Sequence, residues 1–548
     1  MRANFGIFVL AAVAICYSNS ISNPFVQDDL LIVAENPEIR QIAPLHFLNT
    51  PYSQDPRFTG TYRPLTILSF SLDYAIWGNR AFGFRITNLL LHALNGFLVF
   101  ALANALLGSV PAALAAAAFY VFHPVHTETV VGIVGRGELL AAAFMFSAWL
   151  LFRDGRTAWS ALALFLGLLS KENVIIFPAV MMLDALLLRS DLNGLFREWR
   201  RYVVLILTSL AYLALRAWVL GGLFVPKAHQ YAQGTLSNIE RIMTTGRVFL
   251  QYLKLILLPV DVVGVYEFYS IPTAGITDWV AWMGLLLVAA AILVAMSTIR
   301  TAPGASFAIL LFFVTLFPVS NWIIPIGAIM AERFLYTPLL AVALLAGRAW
   351  RALPSVGLQR LSGAGFLAIS VLLCIAHNYI WRDEVSFYGN VVRVFPDNMS
   401  GRLGYGYSML NKGRLPEAVQ QFEAAHRIAP RTPTLLAQVA GAIVKKDPAH
   451  CDQARPLLDA ALKEQPNHWE SYWVLANCSA LTHQWEAAEE FYRRAVENIP
   501  SPNADLLFSW GATLEASGKI GQAIRAYERA LLLHPDDVEI EARLERLR

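Results

Sequence analysis

The chain of 548 residues is 56% apolar and 15% charged, with a formal net charge of +3. This composition excludes an ordinary water-soluble enzyme, because lipid must solvate much of the surface. It also gives no sign of a nucleic-acid partner, since the charge-dense C-terminal part has no stripe of Lys and Arg with interleaved aromatic residues. Charged residues are sparse up to about Tyr379 and dense from Trp381 onwards. We therefore predict a membrane domain over 1–380 and a water-soluble domain over 381–548.

Eleven apolar stretches in the first domain approach the length that a helix needs to cross a hydrocarbon core of roughly 30 Å. They are Phe5–Ile21, Phe84–Leu107, Ala112–Pro124, Leu139–Phe152, Ala158–Leu169, Val174–Leu188, Tyr202–Leu220, Trp279–Met296, Ser306–Ile323, Phe334–Ala346 and Gly365–Tyr379. The predicted fold class is all-α, with a polytopic membrane bundle of about eleven spans. A twelfth stretch, Ile242–Val260, carries one basic stripe and is interpreted as an interfacial or re-entrant helix.

Basic residues near the span ends predict the orientation of the membrane domain. Clusters around Arg153, Arg200, Arg300 and Arg348 fall on one side, which we assign to the cytoplasm because Lys and Arg collect there. The N-terminus is then inside and residue 380 outside. The first stretch is also compatible with a cleaved signal peptide, and Asp28 lies outside under either interpretation.

Prolines recur in the second domain at a spacing of 34 to 36 residues. Small and aromatic residues stand at fixed distances before them, as Ala488, Tyr492 and Ala495 do before Pro500. This pattern is typical of tetratricopeptide repeats, in which small residues let two helices approach and proline ends the second helix. About four repeats would form a C-terminal α-solenoid on the non-cytoplasmic side. Its concave face would suit an extended peptide or a partner helix, although a purely stabilising role stays open.

Two adjacent carboxylates, Asp28 and Asp29, follow the first span by a few residues. A base at this position could deprotonate an acceptor hydroxyl and contribute about 10²- to 10⁴-fold to its rate of reaction. Like charges side by side also tend to raise the pKa of one partner. Two acidic residues in a solvated loop or at a helix cap would have the same sequence. These two residues alone therefore leave both a catalytic and a purely structural interpretation open.

A second outer turn concentrates ionisable residues between two apolar spans, namely His123, His126, Glu128, Arg136 and Glu138. Ionisable groups at membrane depth are costly and usually line a polar cavity, which favours a binding site over a plain connecting loop. Glycines flank Arg136 and would allow a close backbone approach. We therefore prefer Arg136 as the ligand of a phosphate group.

Three further outer segments add Arg63, Lys171 with Glu172, and Glu332 with Arg333. Under the topology above they share one face with the other candidates, and Lys171 is the second choice for phosphate. Carboxylates for proton transfer and Arg or Lys for phosphate binding are the groups that a sugar phospholipid donor requires. Arg63 and Arg333 could equally anchor the protein at the membrane interface.

His123 and His126 stand three residues apart and could bind a divalent metal as a pair. No cysteine joins them, so we favour hydrogen-bonding or orienting roles and assign no metal ligand and no cofactor. The water-soluble domain holds one possible cysteine pair, and neither a zinc site nor a disulfide framework is indicated. The four cysteines are Cys16, Cys374, Cys451 and Cys478.

Six short motifs in order, followed by the repeats, resemble the transmembrane and tetratricopeptide-repeat-containing O-mannosyltransferases almost end to end. The motifs are Asp28-Asp29, Tyr62-Arg63-Pro64, His123-Pro124-x-His126, Gly135-Arg136-x-Glu138, Lys171-Glu172 and Glu332-Arg333. The family belongs to the type C glycosyltransferases. Its members typically carry a catalytic carboxylate in the first outer loop and take sugars from polyprenyl phosphates, and the aspartate pair matches that position.

The resemblance implies an inverting transfer of a sugar, with mannose expected, from a polyprenyl phosphate to a hydroxyl of protein Ser or Thr or of a glycan. Asp28 or Asp29 would remove the acceptor proton. Arg136, helped by Lys171 or Arg333, would stabilise the phosphate charge. The expected partners are the lipid donor, the acceptor, membrane lipid, and a peptide or protein bound by the repeats.

Two other functions stay open on the sequence. A non-enzymatic membrane-anchored repeat scaffold would tolerate loss of both aspartates, whereas a transporter of lipid-linked sugars would show internal symmetry, and we find no convincing hydropathy repeat. The Ala-, Leu- and Arg-rich composition suggests a bacterial inner-membrane protein with periplasmic repeats. The alternative location is the endoplasmic reticulum membrane, with the repeats in the lumen.

Overall fold

The structure is a computed structural model that describes most of the chain. The described residues are 2–53, 58, 60–189, 198–222, 236–266, 270–322, 326–428, 433–446, 448–499, 503–533 and 537–548. All regular elements within them are helical, which confirms the predicted all-α class. Contacts divide the chain into two compact units, Met1–Phe395 and Pro396–Arg548. We call them the membrane unit and the repeat unit.

The membrane unit contains sixteen described α-helices. They are α1 Arg2–Tyr17, α2 Pro44–Leu48, α3 Pro64–Trp77, α4 Ala81–Leu107, α5 Val110–Phe122, α6 Thr127–Val131, α7 Arg136–Arg153, α8 Thr157–Ser170, α9 Phe177–Asp184, α10 Trp199–Leu220, α11 Asn238–Leu257, α12 Trp279–Ser297, α13 Pro303–Leu316, α14 Leu339–Arg351, α15 Val356–Asn378 and α16 Glu384–Val394.

Five helical segments are long and apolar enough to cross a membrane, judged by length and composition. They are Ala81–Leu107, Ile133–Arg153, Trp199–Leu220, Trp279–Ser297 and Val356–Arg382. Shorter apolar helices, among them α5 and α8, coincide with other predicted spans. The structure therefore supports a polytopic bundle without fixing the number of crossings.

Two predicted spans depart from a single α-helix near a proline. Over Val174–Leu188 a 3-10 turn, the short helix α9 and a π-helical turn follow one another. Over Phe334–Ala346 the α-helix starts only at Leu339, with Pro338 as its N-cap. A proline near the start of each helix explains the difference, because proline is accommodated at a helix start but not in its interior.

A polar face of α4 organises the turn that follows α5. Asn88 donates a hydrogen bond to the carbonyl of Gly132 (3.1 Å), and Asn95 donates one to the carbonyl of Leu139 (3.0 Å). Both amides are buried, as is His92 on the same helix. Because buried polar groups must find partners, these bonds fix the position of the chain between α5 and α7.

Packing of the membrane unit continues beyond the change in composition at residue 380. Helix α16 buries Phe387 and Val391, and Asn390 donates a hydrogen bond to the carbonyl of Val262 (2.8 Å). The first compact unit consequently ends at Phe395 rather than at residue 380. Charge density alone could not reveal this, because α16 is amphipathic.

The repeat unit contains nine described helices, of which the first eight form four antiparallel pairs. They are α17 Met399–Asn411, α18 Leu415–Ile428, α19 Pro433–Lys446, α20 Cys451–Glu464, α21 Trp469–Leu481, α22 Trp485–Asn498, α23 Ala504–Ala516, α24 Ile520–Leu533 and α25 Val538–Leu547. A Cβ atom on Gly406 would lie 2.3 Å from the Phe422 ring, so the small residue and the aromatic meet as expected. Of the recurring prolines, Pro430, Pro500 and Pro535 lie outside the described residues.

The two cysteines of the repeat unit form a disulfide between the start of α20 and the last turn of α21. The Cα atoms of Cys451 and Cys478 are 5.6 Å apart. The sequence analysis saw one possible pair but no disulfide framework. The spacing of the cysteines in the sequence could not predict this bond, because the two residues are 27 positions apart and come together only when consecutive repeats stack.

Candidate active site

The loop that carries the aspartate pair is held in place by a buried arginine of α4. Arg85 donates hydrogen bonds to the carbonyls of Asn23, Pro24 (2.5 Å) and Val131 (3.2 Å). It is 1% exposed, so these contacts are shielded from water. Arg85 thus ties the loop after α1 to the turn that precedes α7.

Asp29 is the buried member of the pair. It is 2% exposed, and its Oδ1 accepts a hydrogen bond from the Val134 amide at 3.0 Å. Its Oδ2 has no hydrogen-bond partner among the described residues. Burial raises the pKa of Asp29 to about 6, although the charge of Arg85 opposes that shift. Asp29 therefore changes charge near neutral pH.

Asp28 is only half-buried, and its backbone amide donates to the side chain of Gln27 (2.8 Å). Its charge acts on Arg333, which comes from a distant part of the chain. Burial lowers the pKa of Arg333, but the charges of Glu128 and Asp28 more than offset this and raise it overall. The fold therefore brings the accessible carboxylate of the pair close to a cation.

Three cations lie at this end of the unit, each held by a carboxylate. Arg63 makes two hydrogen bonds to Glu172, at 3.0 and 2.8 Å. The other two pairs, both charge-assisted, are Lys171 with Glu138 and Arg333 with Glu128. Such bonds fix the direction of each cation as well as its charge.

The three cations Arg63, Lys171 and Arg333 form one group, which we call the cation cluster. Lys171 Nζ and the Arg333 guanidinium lie 5.5 and 5.6 Å from the centre of the same Phe334 ring. Burial lowers the pKa of Lys171, and the charges of Arg63 and Arg333 contribute in the same direction. The Arg333 side chain is 33% exposed, against 18% for Arg63 and 6% for Lys171. Arg333 is thus the most accessible member.

Arg136, the preferred phosphate ligand in the sequence analysis, does not belong to this cluster. Its guanidinium donates to Asp73 Oδ2 (2.7 Å), to the Phe84 carbonyl (2.8 Å) and to Asn88. It has no exposed surface. A lipid phosphate could reach it only by breaking a buried ion pair, so the geometry favours a structural role.

The two histidines of the turn between α5 and α6 also lie inside the fold. His123 Nδ1 accepts from the Val125 amide and Nε2 bonds the Ile256 carbonyl at 3.0 Å. His126 is fully buried and packs on the Tyr336 ring at 4.5 Å. Burial lowers the pKa of His126, which keeps its ring neutral. Within the described part of the chain no three His, Cys, Asp or Glu residues form a group that could hold a metal.

Glu332 has a positional role next to the cation cluster. Its Oε1 accepts hydrogen bonds from the Val263 amide (2.7 Å) and the Tyr266 hydroxyl (2.6 Å). Burial, with the charge of Glu128 nearby, raises the pKa of Glu332 to about 8. Glu332 thereby fastens the loop after α11 beside Arg333.

Sequence reasoning missed three residues of this region: Asp73, Arg85 and Tyr52. Asp73 and Arg85 lie in apolar segments, where an ionisable residue is itself a signal of function or of a buried partner. Tyr52 has no comparable signal, because an aromatic residue in an outer loop is unremarkable in sequence. The structure places its ring 5.4 Å from the Arg63 guanidinium.

Comparison with known proteins agrees with this organisation. The tetratricopeptide repeat family matches residues 388–433 and 449–503. Protein O-mannosyl-transferase Tmtc3 of Drosophila melanogaster is 26% identical over 89% of this chain and 63% of its own length. Human protein O-mannosyl-transferase TMTC3 is 24% identical over 97% of this chain and 64% of its own length.

The chain is thus similar over most of its length to protein O-mannosyl-transferases. It spans a little less than two thirds of the length of these curated relatives. Among solved structures, this chain is similar to ArnT from Cupriavidus metallidurans bound to undecaprenyl phosphate, at 15% sequence identity. The match covers 80% of this chain and 81% of the ArnT chain. Its TM-score is 0.38.

Proposed function

We propose that the chain is a glycosyltransferase that moves a sugar, with mannose as the first candidate, from a polyprenyl-phosphate donor to a hydroxyl acceptor. The acceptor is a Ser or Thr of a protein, or a glycan. The observation that carries the proposal is that the charge of Asp28 acts on Arg333, whose guanidinium is held by Glu128, because transfer from a sugar phosphate needs a base for the acceptor and a cation for the phosphate. The homology to O-mannosyltransferases supports the choice of sugar.

In the proposed reaction Asp28 is the base, because it is the accessible member of the pair. Its carboxylate takes the proton of the acceptor hydroxyl while the acceptor oxygen bonds to the anomeric carbon. The bond from that carbon to the phosphate oxygen breaks, and the lipid phosphate leaves with the bonding electrons. A single displacement of this kind inverts the configuration at the anomeric carbon.

The cation cluster would bind the phosphate and stabilise the negative charge that develops on it. Arg333 is the first candidate because its side chain is the most exposed of the three. Its pairing with Glu128 holds the guanidinium in one direction before the donor arrives. Such preorganisation avoids the free energy of reorienting water or side chains during the reaction.

We place the reaction on the non-cytoplasmic face, the periplasm in a bacterium or the lumen of the endoplasmic reticulum in a eukaryote. The distribution of basic residues along the sequence supports this orientation. The disulfide Cys451–Cys478 supports a non-cytoplasmic repeat unit, because disulfides persist in oxidising compartments. The repeats would bind a peptide or protein there, as arrays of this kind present a concave surface.

The test uses purified full-length protein in liposomes with polyprenyl-phosphate [³H]mannose and a mixture of Ser/Thr-containing peptides. We expect label in the peptides, with an anomeric configuration opposite to that of the donor. Label that crosses the bilayer while still attached to the lipid would instead identify a transporter. Labelled peptides with retained configuration would contradict the single displacement. If neither the mannose donor nor any other sugar donor gives transfer or crosses the bilayer, the result would favour the non-enzymatic scaffold.

A further inference from the structure

Asp184, the last residue of α9, contacts two arginines at once. Its Oδ1 accepts a hydrogen bond from Arg153 Nη1 at 2.8 Å, and its Oδ2 lies 3.3 Å from Arg189 Nη2. One carboxylate balances one guanidinium, so these three residues, which we call the arginine–aspartate triad, keep one positive charge. A charge without a partner is costly where protein and lipid replace water, which predicts a counter-ion at the triad.

The accessible surface of the triad consists of arginine. The Arg153 and Arg189 side chains are 23% and 28% exposed, whereas the Asp184 side chain is 1% exposed. Because they contact the two oxygens of one carboxylate, the two guanidinium groups are neighbours. Guanidinium groups present several N–H donors in a plane and bind phosphate through pairs of hydrogen bonds. A phosphate with one negative charge would therefore meet both the donors and the uncompensated charge.

A third arginine fixes the turn next to Arg153. Arg201 of α10 donates to the Thr157 hydroxyl at 2.9 Å and to the Phe152 carbonyl, and its guanidinium lies 4.2 Å from the centre of the Phe152 ring. Its charge is balanced by Glu198, whose Oε2 lies 2.6 Å from Arg201 Nη1. Arg201 therefore fastens α10 to the turn between α7 and α8 and leaves the net charge of the triad unchanged.

Two exposed tryptophans stand beside the contact of Arg201 with Thr157, and they indicate the level of the triad in the membrane. Trp159 is 63% exposed and Trp199 is 54% exposed, and each is two residues away from one partner of that contact. Tryptophan is enriched where lipid headgroups meet the hydrocarbon core. The triad thus lies at headgroup level, where the abundant phosphates are those of lipids.

The triad is separate from the cation cluster. Helix α8 begins at Thr157 beside the triad and ends at Ser170, and Lys171 of the cation cluster follows directly. Its 14 residues span roughly 21 Å, so one phosphate cannot contact both groups of cations. The two groups lie at opposite ends of this helix.

We propose that the triad binds the phosphate of an anionic phospholipid, with Arg153 and Arg189 as its ligands and Asp184 as the residue that positions them. A headgroup such as that of phosphatidylglycerol brings the single negative charge that balances the triad. Phosphatidylcholine carries its own quaternary ammonium group and brings no net charge. Basic pockets between membrane helices on the cytoplasmic side bind anionic headgroups, and the sequence analysis assigns this end to the cytoplasm. The site does not depend on the proposed glycosyl transfer.

The test is native mass spectrometry of the full-length protein in detergent, titrated with phosphatidylglycerol or phosphatidylcholine of the same acyl chains. We expect the first phosphatidylglycerol to bind about tenfold more tightly than phosphatidylcholine, in line with one charge-assisted hydrogen bond. Arg189→Gln leaves the ion pair of Arg153 with Asp184 intact and neutral, so this preference should largely disappear. Arg156→Gln is the matched control, because it removes the same charge from an exposed arginine in the neighbouring turn. It should keep the preference.

Equal binding of the two lipids by the wild type would overturn the site, and this result does not depend on the folding of any variant. A preference that survives in Arg189→Gln would also overturn it. Equal losses in Arg156→Gln and Arg189→Gln would replace the site by a diffuse basic surface that only sets the orientation in the membrane. Displacement of bound phosphatidylglycerol by an equimolar amount of glycerol phosphate would assign the arginines to a soluble phosphate and contradict the lipid.

Discussion

At the scale of single residues, the candidate site is built from ion pairs rather than from free charges. Arg63, Lys171 and Arg333 each contact one carboxylate, and the pairs are partly or wholly shielded from water. Breaking such a pair by removing one partner is costly, because the other charge stays behind without compensation. The direction of each cation is thus set before any substrate binds.

The raised pKa of Asp29 predicts a pH dependence of transfer. Below a pH of about 6 Asp29 is protonated, and above it the carboxylate is ionised. An ionised neighbour raises the basicity of Asp28, so kcat/KM should rise between pH 5 and 7 with an apparent pKa near 6. The initial rate of labelled transfer against pH measures this.

Asp29→Asn is the informative variant for that profile. Asparagine keeps the shape of the side chain but cannot ionise. The rise of kcat/KM near pH 6 should therefore disappear, while a lower rate of transfer remains. A profile that keeps the same step in Asp29→Asn would assign the titration to another group.

Arg136 and Asp73 give a second prediction, which concerns stability. Arg136→Met should destabilise the protein by about 3–5 kcal/mol, because it leaves Asp73 buried without its partner. The double variant Arg136→Met with Asp73→Leu should recover most of that loss. Thermal unfolding in detergent measures both, with the exposed Arg156→Met as control. A stable Arg136→Met protein that binds donor lipid poorly would return Arg136 to the phosphate site.

At the scale of elements, small residues let helices of the membrane unit touch through their backbones. Where α11 crosses α12, a Cβ on Gly284 would lie 1.9 Å from the Gly246 carbonyl oxygen. Where α14 crosses α5, a Cβ on Gly347 would lie 2.4 Å from the Ala112 carbonyl oxygen. Such close crossings are typical of helices in lipid, where van der Waals packing replaces the hydrophobic effect.

Gly284→Leu should therefore separate α11 from α12. Because the obstacle is backbone, it cannot move aside, and we expect a loss of at least about 1–3 kcal/mol of stability. Gly365→Leu on α15 is the matched control, since no atom lies within 4 Å of a Cβ at that helical position. Equal thermal stability of the two variants would contradict the close crossing.

The sequence predicted these elements better than it predicted their contacts. Apolar stretches and proline spacing identified the helices, because lipid and repeat stacking each impose a period on the chain. The predicted bounds of the spans that contain α9 and α14 were wrong, because a proline near the start of each helix shortens it. Aspartate, lysine and glutamate candidates were found from their charge, but the partner of Arg136 is 63 residues away and could not be read from local pattern.

At the scale of the whole molecule, the chain joins a membrane unit that carries ionisable groups to a repeat unit that carries a disulfide. The disulfide closes a segment of 27 residues that runs from the start of α20 to the last turn of α21. On the chain-entropy model, closing a loop of this length stabilises the folded state by roughly 3–4 kcal/mol.

This gives a prediction for redox sensitivity. Replacing both Cys451 and Cys478 by Ser should lower the unfolding temperature of the repeat unit by several degrees, and a thiol reductant should do the same to the wild type. Replacing the buried pair Cys16 and Cys374 by Ala should not remove that response. Differential scanning fluorimetry with and without reductant measures it. A wild type indifferent to reductant, with free thiols at both positions, would contradict the disulfide.

The central claim is that Asp28 acts on the acceptor at this site. Its most direct test is the initial rate of transfer from polyprenyl-phosphate [³H]mannose in membranes that contain equal amounts of wild type, Asp28→Asn or Asp154→Asn. Asp154 is an exposed carboxylate in the turn after α7, on the predicted cytoplasmic side. We expect Asp28→Asn to lose about 10²-fold or more and Asp154→Asn to match the wild type. An Asp28→Asn rate equal to that of wild type would contradict the account.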